Sequence, residues 1–542
     1  MLALVALAIA SCVPYLRTWR YGFVHLDDHQ FVVEGAWFFR EWGNIPRVFT
    51  NDVWEFFGES SSLYRPLLLL PRFVEMWLFG TEPGPYHVLN TGLHFASVAL
   101  FFALLREVIG GVAWPFVWAM LFALHPAHVP VVAWIEGYNN SMLAAFVLAA
   151  LLLALRALKT GARAHVFGSA AAFFMALLTK ENAVCVPILC ALHLGDGRAL
   201  LARHLIARLL AGAWLVALLA WILLRANAIA STPEFEPGYI LGSIARNHRG
   251  LVLYWGKIFL PINLAPLPTL QDSSMIPGLA AIALYAAIVA VSDGPARRAL
   301  GFGALWFLLL IGPSLLVNRL MSPSGAIFRE DRLYHAALGP MLALAVASKD
   351  LSLRRPREVF ALVVGCVLGS LALGQVVVGR YSDGLAFFSA AAAHSPHLAS
   401  AHAHLADRYV ERGDFEAARR EYELALTLNP ACPTLNNNFA LLLMHDGDFE
   451  RADRHFQAEV VVNPGFLRAR YNRGVLYGRR GDYRAAAMEL EQYLALGPSS
   501  REEVLMARLG LIDCYNRLHQ PEQARRVAAD LSASGATIVP RR

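Results

Sequence analysis

Long apolar segments, separated by short polar ones, occupy the first 379 residues of the chain. Their length and continuous apolar character predict helices that cross a membrane. Several are shorter than the roughly 20 residues of a complete crossing, and we expect their flanks to supply the missing turns. The eleven predicted membrane-spanning segments are 3–15, 86–105, 112–125, 141–157, 165–178, 183–195, 206–224, 276–291, 299–317, 334–348 and 359–379.

The remainder of the chain is more polar and repeats every 34 residues. Each repeat has a Gly-Asp-aromatic triplet, a small residue five positions after the Gly, and a Pro near its end. The Gly permits a turn between two helices, the small residue lets them approach, and the Pro ends the second helix. This is the period of a tetratricopeptide array, and a degenerate fourth unit follows it with Ala524 at the small position. The markers are Gly413, Gly447 and Gly481, then Ala418, Ala452 and Ala486, and finally Pro396, Pro430, Pro464 and Pro498.

These patterns predict an all-α protein in which a polytopic membrane helix bundle precedes an α-solenoid of tetratricopeptide repeats. We place the membrane domain at 1–379, a linker or half-repeat at 380–396, and the repeat domain at 397–535. The composition agrees, because 16% of the 542 residues are charged and 57% are hydrophobic, whereas about 25% are charged in an average soluble domain. The net charge of +6 reflects membrane topology, and we expect no nucleic-acid partner.

Basic residues in the short loops predict the orientation of the bundle. With eleven spans, four basic clusters fall on one face, which the positive-inside rule makes cytoplasmic. The loops 16–85, 126–140, 225–275 and 318–333 then face outward, as does the repeat domain. We interpret the N-terminus as an uncleaved first helix, with a signal peptide cleaved after Ala10 as the alternative. The clusters are Arg156 with Lys159 and Arg163, Arg198 with Arg203, Arg297 with Arg298, and Lys349 with Arg354, Arg355 and Arg357.

Polar clusters recur at the outward ends of separate spans, which indicates one shared site. The most unusual is the adjacent pair Asp27 and Asp28, because two neighbouring carboxylates raise each other's proton affinity. A solvated turn is the alternative interpretation of that pair. No P-loop, dinucleotide fingerprint or nucleophile elbow competes with this site. The six cysteines include no C-x-x-C pair, so neither a zinc site nor a disulfide framework is predicted.

In order and spacing, the outward motifs resemble the transmembrane-and-tetratricopeptide O-mannosyltransferases and their bacterial relatives. That family belongs to the polytopic glycosyltransferases of the GT-C class, which use sugars linked to lipid phosphates. The resemblance implies a GT-C-like bundle and makes Asp27 and Asp28 the catalytic acidic motif, with Asp28 slightly preferred as the base. The motifs are Phe23 followed by Asp27-Asp28, Tyr64-Arg-Pro-Leu67, Tyr86-His87 with Asn90 and His94, Leu121-Phe-Ala-Leu-His-Pro-Ala-His128, Lys180-Glu181 and Glu330-Asp-Arg-Leu-Tyr334.

The same resemblance assigns further roles. The donor would be a sugar on a polyprenyl phosphate, whose departing phosphate needs fixed cations, first Arg332 and then Arg65 and Lys180. An Arg332 that reaches lipid headgroups is the alternative for that residue. The residues expected to line the acceptor site are Glu181, His125, His128 and Tyr334, and Glu181 could instead pair with Lys180. No metal ligands are assigned, although neighbouring carboxylates leave a divalent metal open.

This chain departs from the family at three positions. Pro130, Tyr138 and Asn140 stand where an acid, an Arg and an Asp are common. We expect an inverting transfer to an acceptor, with protein Ser or Thr favoured, at the outer face of the inner membrane. The repeats would hold a protein acceptor or partner, and membrane lipids would surround the bundle. An inactive, membrane-tethered scaffold for envelope assembly is the alternative function.

Overall fold

The computed structural model describes residues 1–57, 61–193, 204–229, 237–316, 327–497 and 501–533. Within these ranges the chain is helical, with one isolated antiparallel bridge between Thr269 and Ile327. The predicted all-α class is therefore confirmed. The chain divides into two compact units, and the change from one to the other lies between Ser395 and Pro396.

The first unit is a bundle of mostly apolar helices. Short 3-10 or π segments connect them at Val13–Arg20, Gln30–Glu34, Trp42–Asn44, Glu55–Phe57, Pro126–His128, Ile135–Gly137, Glu181–Cys185, Gly312–Leu316 and Glu330–Arg332. Its α-helices are Leu2–Cys12, Ala36–Phe39, Ile45–Thr50, Pro66–Phe79, Pro83–Ile109, Ala113–Ala123, Val129–Ala133, Tyr138–Thr160, Arg163–Thr179, Val186–His193, His204–Ala228, Pro237–Asn247, Arg249–Phe259, Ile276–Val291, Gly294–Ile311, Leu333–Ala336, Leu338–Ala347, Lys349–Arg354, Pro356–Gly379 and Gly384–His394.

Six helices among the described residues are long and apolar enough to cross a membrane, or seven if one bent pair counts as a span. The prediction of membrane-spanning helices is thus confirmed. Five shorter apolar helices were also found, and four of them coincide with predicted spans. The total of eleven crossings therefore stays a prediction. The shorter helices are Arg163–Thr179, Glu181–Ala191, Ile276–Val291, Leu338–Ala347 and Gly384–His394.

The bent pair gives the bundle its one broken span within the described ranges. Ala113–Ala123 and Pro126–Ala133 meet at an angle of 53°. A broken helix leaves carbonyl groups without partners, which is costly inside a bilayer. Two histidines meet this need at the break, because Nε2 of His94 bonds to the carbonyl of Ala123 at 3.0 Å and Nδ1 of His128 bonds to that of Phe122 at 2.9 Å. Since His94 belongs to the helix Pro83–Ile109, the break is fixed to that helix.

The second unit consists of helix pairs with the predicted period. Gly413, Gly447 and Gly481 have φ values of 76°, 81° and 79°, which a side chain would strain. Each is followed by an Asp whose carboxylate caps the next helix. The helices are Ala399–Glu411, Phe415–Leu428, Leu435–His445, Phe449–Val462, Arg468–Arg480, Tyr483–Ala495, Arg501–Arg517 and Pro521–Ala533.

Some sequence predictions fall outside the described residues. They concern the basic loop with Arg198 and Arg203, residues 58–60, 230–236 and 318–326 of three outward loops, Pro498, and the last two residues of the repeat domain. The predicted half-repeat contains the helix Gly384–His394. That helix belongs to the first unit.

Candidate functional site

The two adjacent aspartates lie in different environments. Asp28 is fully buried, and its two carboxylate oxygens accept hydrogen bonds from the backbone N–H groups of Val24 and His29 at 2.8 and 2.9 Å. The side chain of Asp27 keeps 37% of its surface exposed. Burial raises the pKa of both carboxyls, that of Asp28 to about 6. Asp28 therefore holds the loop together, whereas Asp27 is the carboxylate that a substrate can reach.

Arg329 connects Asp27 to the turn Glu330–Arg332. Its Nη1 lies 3.9 Å from Oδ2 of Asp27, and its Nε donates to Oδ1 of Asp331 at 2.9 Å. The guanidinium also stacks over the ring of Trp134 at 4.1 Å. Burial would raise the pKa of Asp331, but Arg329 outweighs it and holds that pKa below its usual range. Asp331 is thus a permanent counter-charge for Arg329.

Asn140 links Asp331 to Lys180 by hydrogen bonds. Its Nδ2 donates to Oδ2 of Asp331 at 3.0 Å, and its Oδ1 accepts from Nζ of Lys180 at 2.8 Å. Partial burial, and then the positive charge of Arg65, lower the pKa of Lys180 to about 7. A continuous series of contacts therefore runs from Asp27 through Arg329, Asp331 and Asn140 to Lys180.

The other predicted cations lie around this network. Arg65 forms an ion pair with Glu181 at 2.9 Å, so the partner of Glu181 is Arg65. Arg332 donates to the carbonyl of Ile327 at 3.4 Å. Arg332 is also close enough to Asp331 to interact with its charge. Lys180 and Arg332 thus share a feature that suits them to an anion: each donates a hydrogen bond to a neutral oxygen.

A buried ion triad packs beside the aspartates. Arg72 donates to Glu75 at 2.7 Å and to Glu136 at 2.6 Å, and all three side chains are at least 93% buried. Tyr86 and Tyr138 cover the guanidinium at 5.1 and 4.6 Å. Tyr138 thus packs on an arginine from another helix.

Glu136 relates the triad to the aspartate pair. Its carboxylate is close enough to Asp27 and Asp28 to interact with both charges. The aspartate end of the site therefore carries an excess of carboxylates. Lys180 and Arg332 are close enough to interact with each other's charge and are two cations of the same site.

A second buried pair fixes the turn Glu330–Arg332. Glu330 accepts from Nζ of Lys257 at 2.5 Å and from the backbone N–H of Ala265 at 2.9 Å. Both side chains of the pair are buried. Because Glu330 sits between Arg329 and Asp331 in the chain, this anchor holds the orientation of both neighbours.

The remaining predicted residues lie in a packed aromatic cluster. Tyr334 hydrogen-bonds with Nδ1 of His94 at 2.7 Å, and its ring lies 4.8 Å from that of His128. His125 bonds the carbonyl of Ile258 at 2.9 Å and is 8% exposed. The structure thus places His125, His128 and Tyr334 among core contacts, and their acceptor-lining role stays a prediction.

Sequence reasoning missed Arg329 and the triad. The signal for the triad was present, because Arg72 and Glu75 stand three residues apart in an otherwise apolar segment. Arg329 was harder to single out, because it stands close to Arg332 in the chain. Nothing in the sequence indicates that Arg329 lies near Asp27. Among the described residues, no group of three or more His, Cys, Asp or Glu side chains is arranged to hold a metal ion.

Similarity to known proteins covers parts of the chain. A tetratricopeptide repeat family model matches residues 399–432. Mouse protein O-mannosyl-transferase TMTC1 is 32% identical over 187 residues, which are 34% of this chain and 20% of the mouse protein. Human TMTC1 is 33% identical over 34% of this chain and 21% of its own length. This chain resembles the O-mannosyl-transferases.

The similarity extends to a second member of that group. Human protein O-mannosyl-transferase TMTC2 is 30% identical over 27% of this chain and 18% of its own length. The chain therefore spans about a fifth of the length of the curated relatives that it matches. Among solved structures, BtubC from P. vanneervenii aligns with 36% of this chain and 90% of its own at 19% identity and a TM-score of 0.25.

Proposed function

We propose that this chain is a membrane glycosyltransferase that moves one sugar from a polyprenyl phosphate to a protein hydroxyl. The supporting observation is the connected series from Asp27 to Lys180, with an accessible carboxylate at one end and a cation at the other. Glycosyl transfer needs both, a base for the hydroxyl and positive charge for the departing phosphate. The names of the similar proteins make mannose the first sugar to test.

In the proposed reaction, Asp27 accepts the proton of the acceptor hydroxyl as the hydroxyl oxygen bonds to the anomeric carbon. The bond between that carbon and the phosphate oxygen breaks, and its electron pair stays on the phosphate. Lys180 and Arg332 stabilise this developing charge. A single displacement of this kind inverts the anomeric centre. The sequence favoured Asp28 as the base, but its burial and two backbone hydrogen bonds suit it better to positioning Asp27.

We place this reaction on the extracytoplasmic face of the inner membrane. The helix Tyr138–Thr160 supports this placement, because Asn140 near its start contacts the site while its last turn carries Lys159. Its 23 residues make it about 34 Å long, enough to cross a bilayer. The basic, cytoplasmic end then lies one membrane thickness from Asp27.

Removing the cations tests the donor assignment. We expect Arg332→Met and Lys180→Met each to raise the KM for mannosyl-polyprenyl phosphate about tenfold or more, because a charged hydrogen bond contributes about 1.5–3 kcal/mol. The measurement is transfer of labelled mannose from its lipid carrier to water or to a Ser/Thr peptide, catalysed by the purified, detergent-solubilised chain. Arg106→Met, at an exposed arginine on a bundle helix, is the matched control. If both site variants keep the parental KM, the donor assignment is wrong.

Besides the base Asp27, whose pKa is also raised, two groups determine the pH dependence of transfer. Deprotonation of Asp28, with its pKa of about 6, provides the charged acceptor that orders the aspartate loop. Protonation of Lys180, with its pKa of about 7, provides the charge for the phosphate. We therefore expect kcat/KM to rise with pH through about 6 and to fall above about 7. In Lys180→Arg the falling limb should move far upward, since arginine stays protonated, and an unchanged limb would exclude Lys180 as its source.

A further inference from the structure

His335 and Glu181 place buried polar atoms beside Lys180. Within the described ranges, neither ring nitrogen of His335 has a hydrogen-bond partner, and Oε1 of Glu181 accepts no hydrogen bond from another residue. The side chain of His335 is 1% exposed, and Oε1 of Glu181 is buried as well. Both side chains are close enough to Lys180 to interact with its charge. Because buried polar atoms are almost always paired, these atoms indicate that something else occupies the space beside them.

One helix of the bundle holds both side chains in place. On this helix, Nε1 of Trp306 donates to the backbone carbonyl of His335 at 3.0 Å. The carbonyl of Leu310, one turn further along, accepts from Nδ2 of Asn182 at 2.8 Å, and Asn182 directly follows Glu181 in the chain. The same Leu310 carbonyl lies near the ring of His335. The two residues with unpaired atoms therefore meet at the same end of one helix, next to the cation that we assign to the donor.

The chemistry of the unpaired atoms selects among possible ligands. A carboxylate oxygen can only accept hydrogen bonds, whereas a neutral imidazole has one N–H donor and one nitrogen acceptor. Glu181 and His335 together thus offer two acceptors and one donor. A phosphate dianion also only accepts, so it would leave both acceptors unpaired and would bring negative charge to Glu181. A hydroxyl group donates and accepts, so neighbouring hydroxyls of a sugar can pair with all three atoms.

We propose that His335 and Glu181 bind hydroxyl groups of the sugar that is transferred. The sugar is bonded directly to the phosphate that we assign to Lys180, so its hydroxyls lie beside that residue. This deepens the proposed function and rests on it, because that function supplies a sugar on a lipid phosphate. A site built to pair with hydroxyls discriminates against a ligand that lacks them, since its buried groups then stay unpaired. The two residues would therefore determine which sugar is accepted.

The test compares the binding of lipid phosphates with and without a sugar, so no transfer step is needed. The probes are bare polyprenyl phosphate and the same lipid phosphate carrying mannose, glucose or N-acetylglucosamine. Their Kd values for the purified, detergent-solubilised chain are measured by microscale thermophoresis. The readout is the Kd of the bare lipid divided by that of the best-bound sugar lipid. A change in affinity for the phosphate alone, such as removal of the charge of Glu181 produces, cancels in this ratio.

We expect His335→Phe and Glu181→Gln each to reduce the ratio about tenfold, because each removes a buried hydrogen bond to the sugar. His335→Gln keeps a donor and an acceptor and should retain most of the parental ratio, which separates lost hydrogen bonds from lost packing. Glu358→Gln, at an exposed glutamate of another bundle helix, is the matched control and should keep the full ratio.

Monodeoxy versions of the best-bound sugar identify the hydroxyl that His335 contacts. One of them should bind the parent chain about tenfold more weakly than the complete sugar does. His335→Phe should bind that deoxy sugar and the complete sugar equally, since the partner of the missing hydroxyl is already absent.

The remaining outcomes separate this proposal from the transfer reaction. Asp27→Asn should keep the parental ratio, so a chain that recognises the sugar without transferring it would contradict the proposed function and leave the sugar site standing. A parent chain that binds the bare lipid as tightly as all three sugar lipids would overturn the sugar site. So would His335→Phe and Glu181→Gln chains with the parental ratio and the parental circular dichroism spectrum, because water alone would then occupy the space beside these atoms.

Discussion

Asp27→Asn is expected to lower the rate of sugar transfer by about 10² to 10⁴-fold, the usual contribution of a general base. The exposed fraction of Asp27 leaves it accessible to a hydroxyl, and asparagine cannot accept the proton. The loss should appear in kcat, with the donor KM changed little, because Lys180 and Arg332 are untouched. The measurement is transfer of labelled mannose to a Ser/Thr peptide.

Two companion variants make this result specific. Glu41→Gln removes an exposed carboxylate of the same loop, and it should retain transfer. Asp28→Asn should lower the melting temperature as well as the activity, because an amide cannot accept both backbone N–H groups. Full activity in Asp27→Asn together with loss in Asp28→Asn, at unchanged melting temperature, would make Asp28 the base. Full activity in both would show that neither aspartate is the base, whereas absence of transfer by the parent chain would favour the inactive scaffold.

Arg72→Met is expected to reduce the free energy of unfolding by about 3–5 kcal/mol. The substitution leaves Glu75 and Glu136 buried without their shared counter-charge, which is the costly way to break a buried ion pair. Unfolding of the detergent-solubilised chain is the measurement.

The triad itself supplies the control for that variant. The triple variant Arg72→Met, Glu75→Gln and Glu136→Gln removes all three charges and should recover much of the lost stability, because no buried charge remains unpaired. Arg106→Met, at an exposed arginine, should unfold like the parent chain. A triple variant as unstable as Arg72→Met would mean that packing of the guanidinium between Tyr86 and Tyr138 matters more than charge.

The fold was largely predictable because its signals are periodic. Apolar length predicts the spans, and the residues that require special backbone, such as Gly413, Gly447 and Gly481, mark the repeats whatever the tertiary contacts are. Span lengths were less predictable. A helix such as Leu338–Ala347 packs inside the bundle. A helix buried against protein needs the same apolar residues as one that faces lipid, so composition does not distinguish the two.

The sequence predicted which residues belong to the site, but not which of them contact one another. The position of charged residues at the ends of spans indicated Asp27, Arg65, Lys180 and Arg332. A charge next to a membrane-spanning segment is costly, so it usually has a partner or a function. Which partner each charge meets depends on how helices far apart in the chain pack, and no local pattern encodes it. Glu181 pairs with Arg65 instead of its neighbour Lys180 for this reason.

The network that starts at Asp27 also constrains biosynthesis. The carboxylate emerges with the first loop, whereas Arg329 and Asp331 emerge only after the helix Gly294–Ile311 has been made. Until then the early helices contain Asp27 without its cation, and Asn140 without its bond to Asp331. A chain truncated before residue 329 would therefore reach the membrane without a working centre. The site therefore forms only after the helices that precede residue 329 have been made.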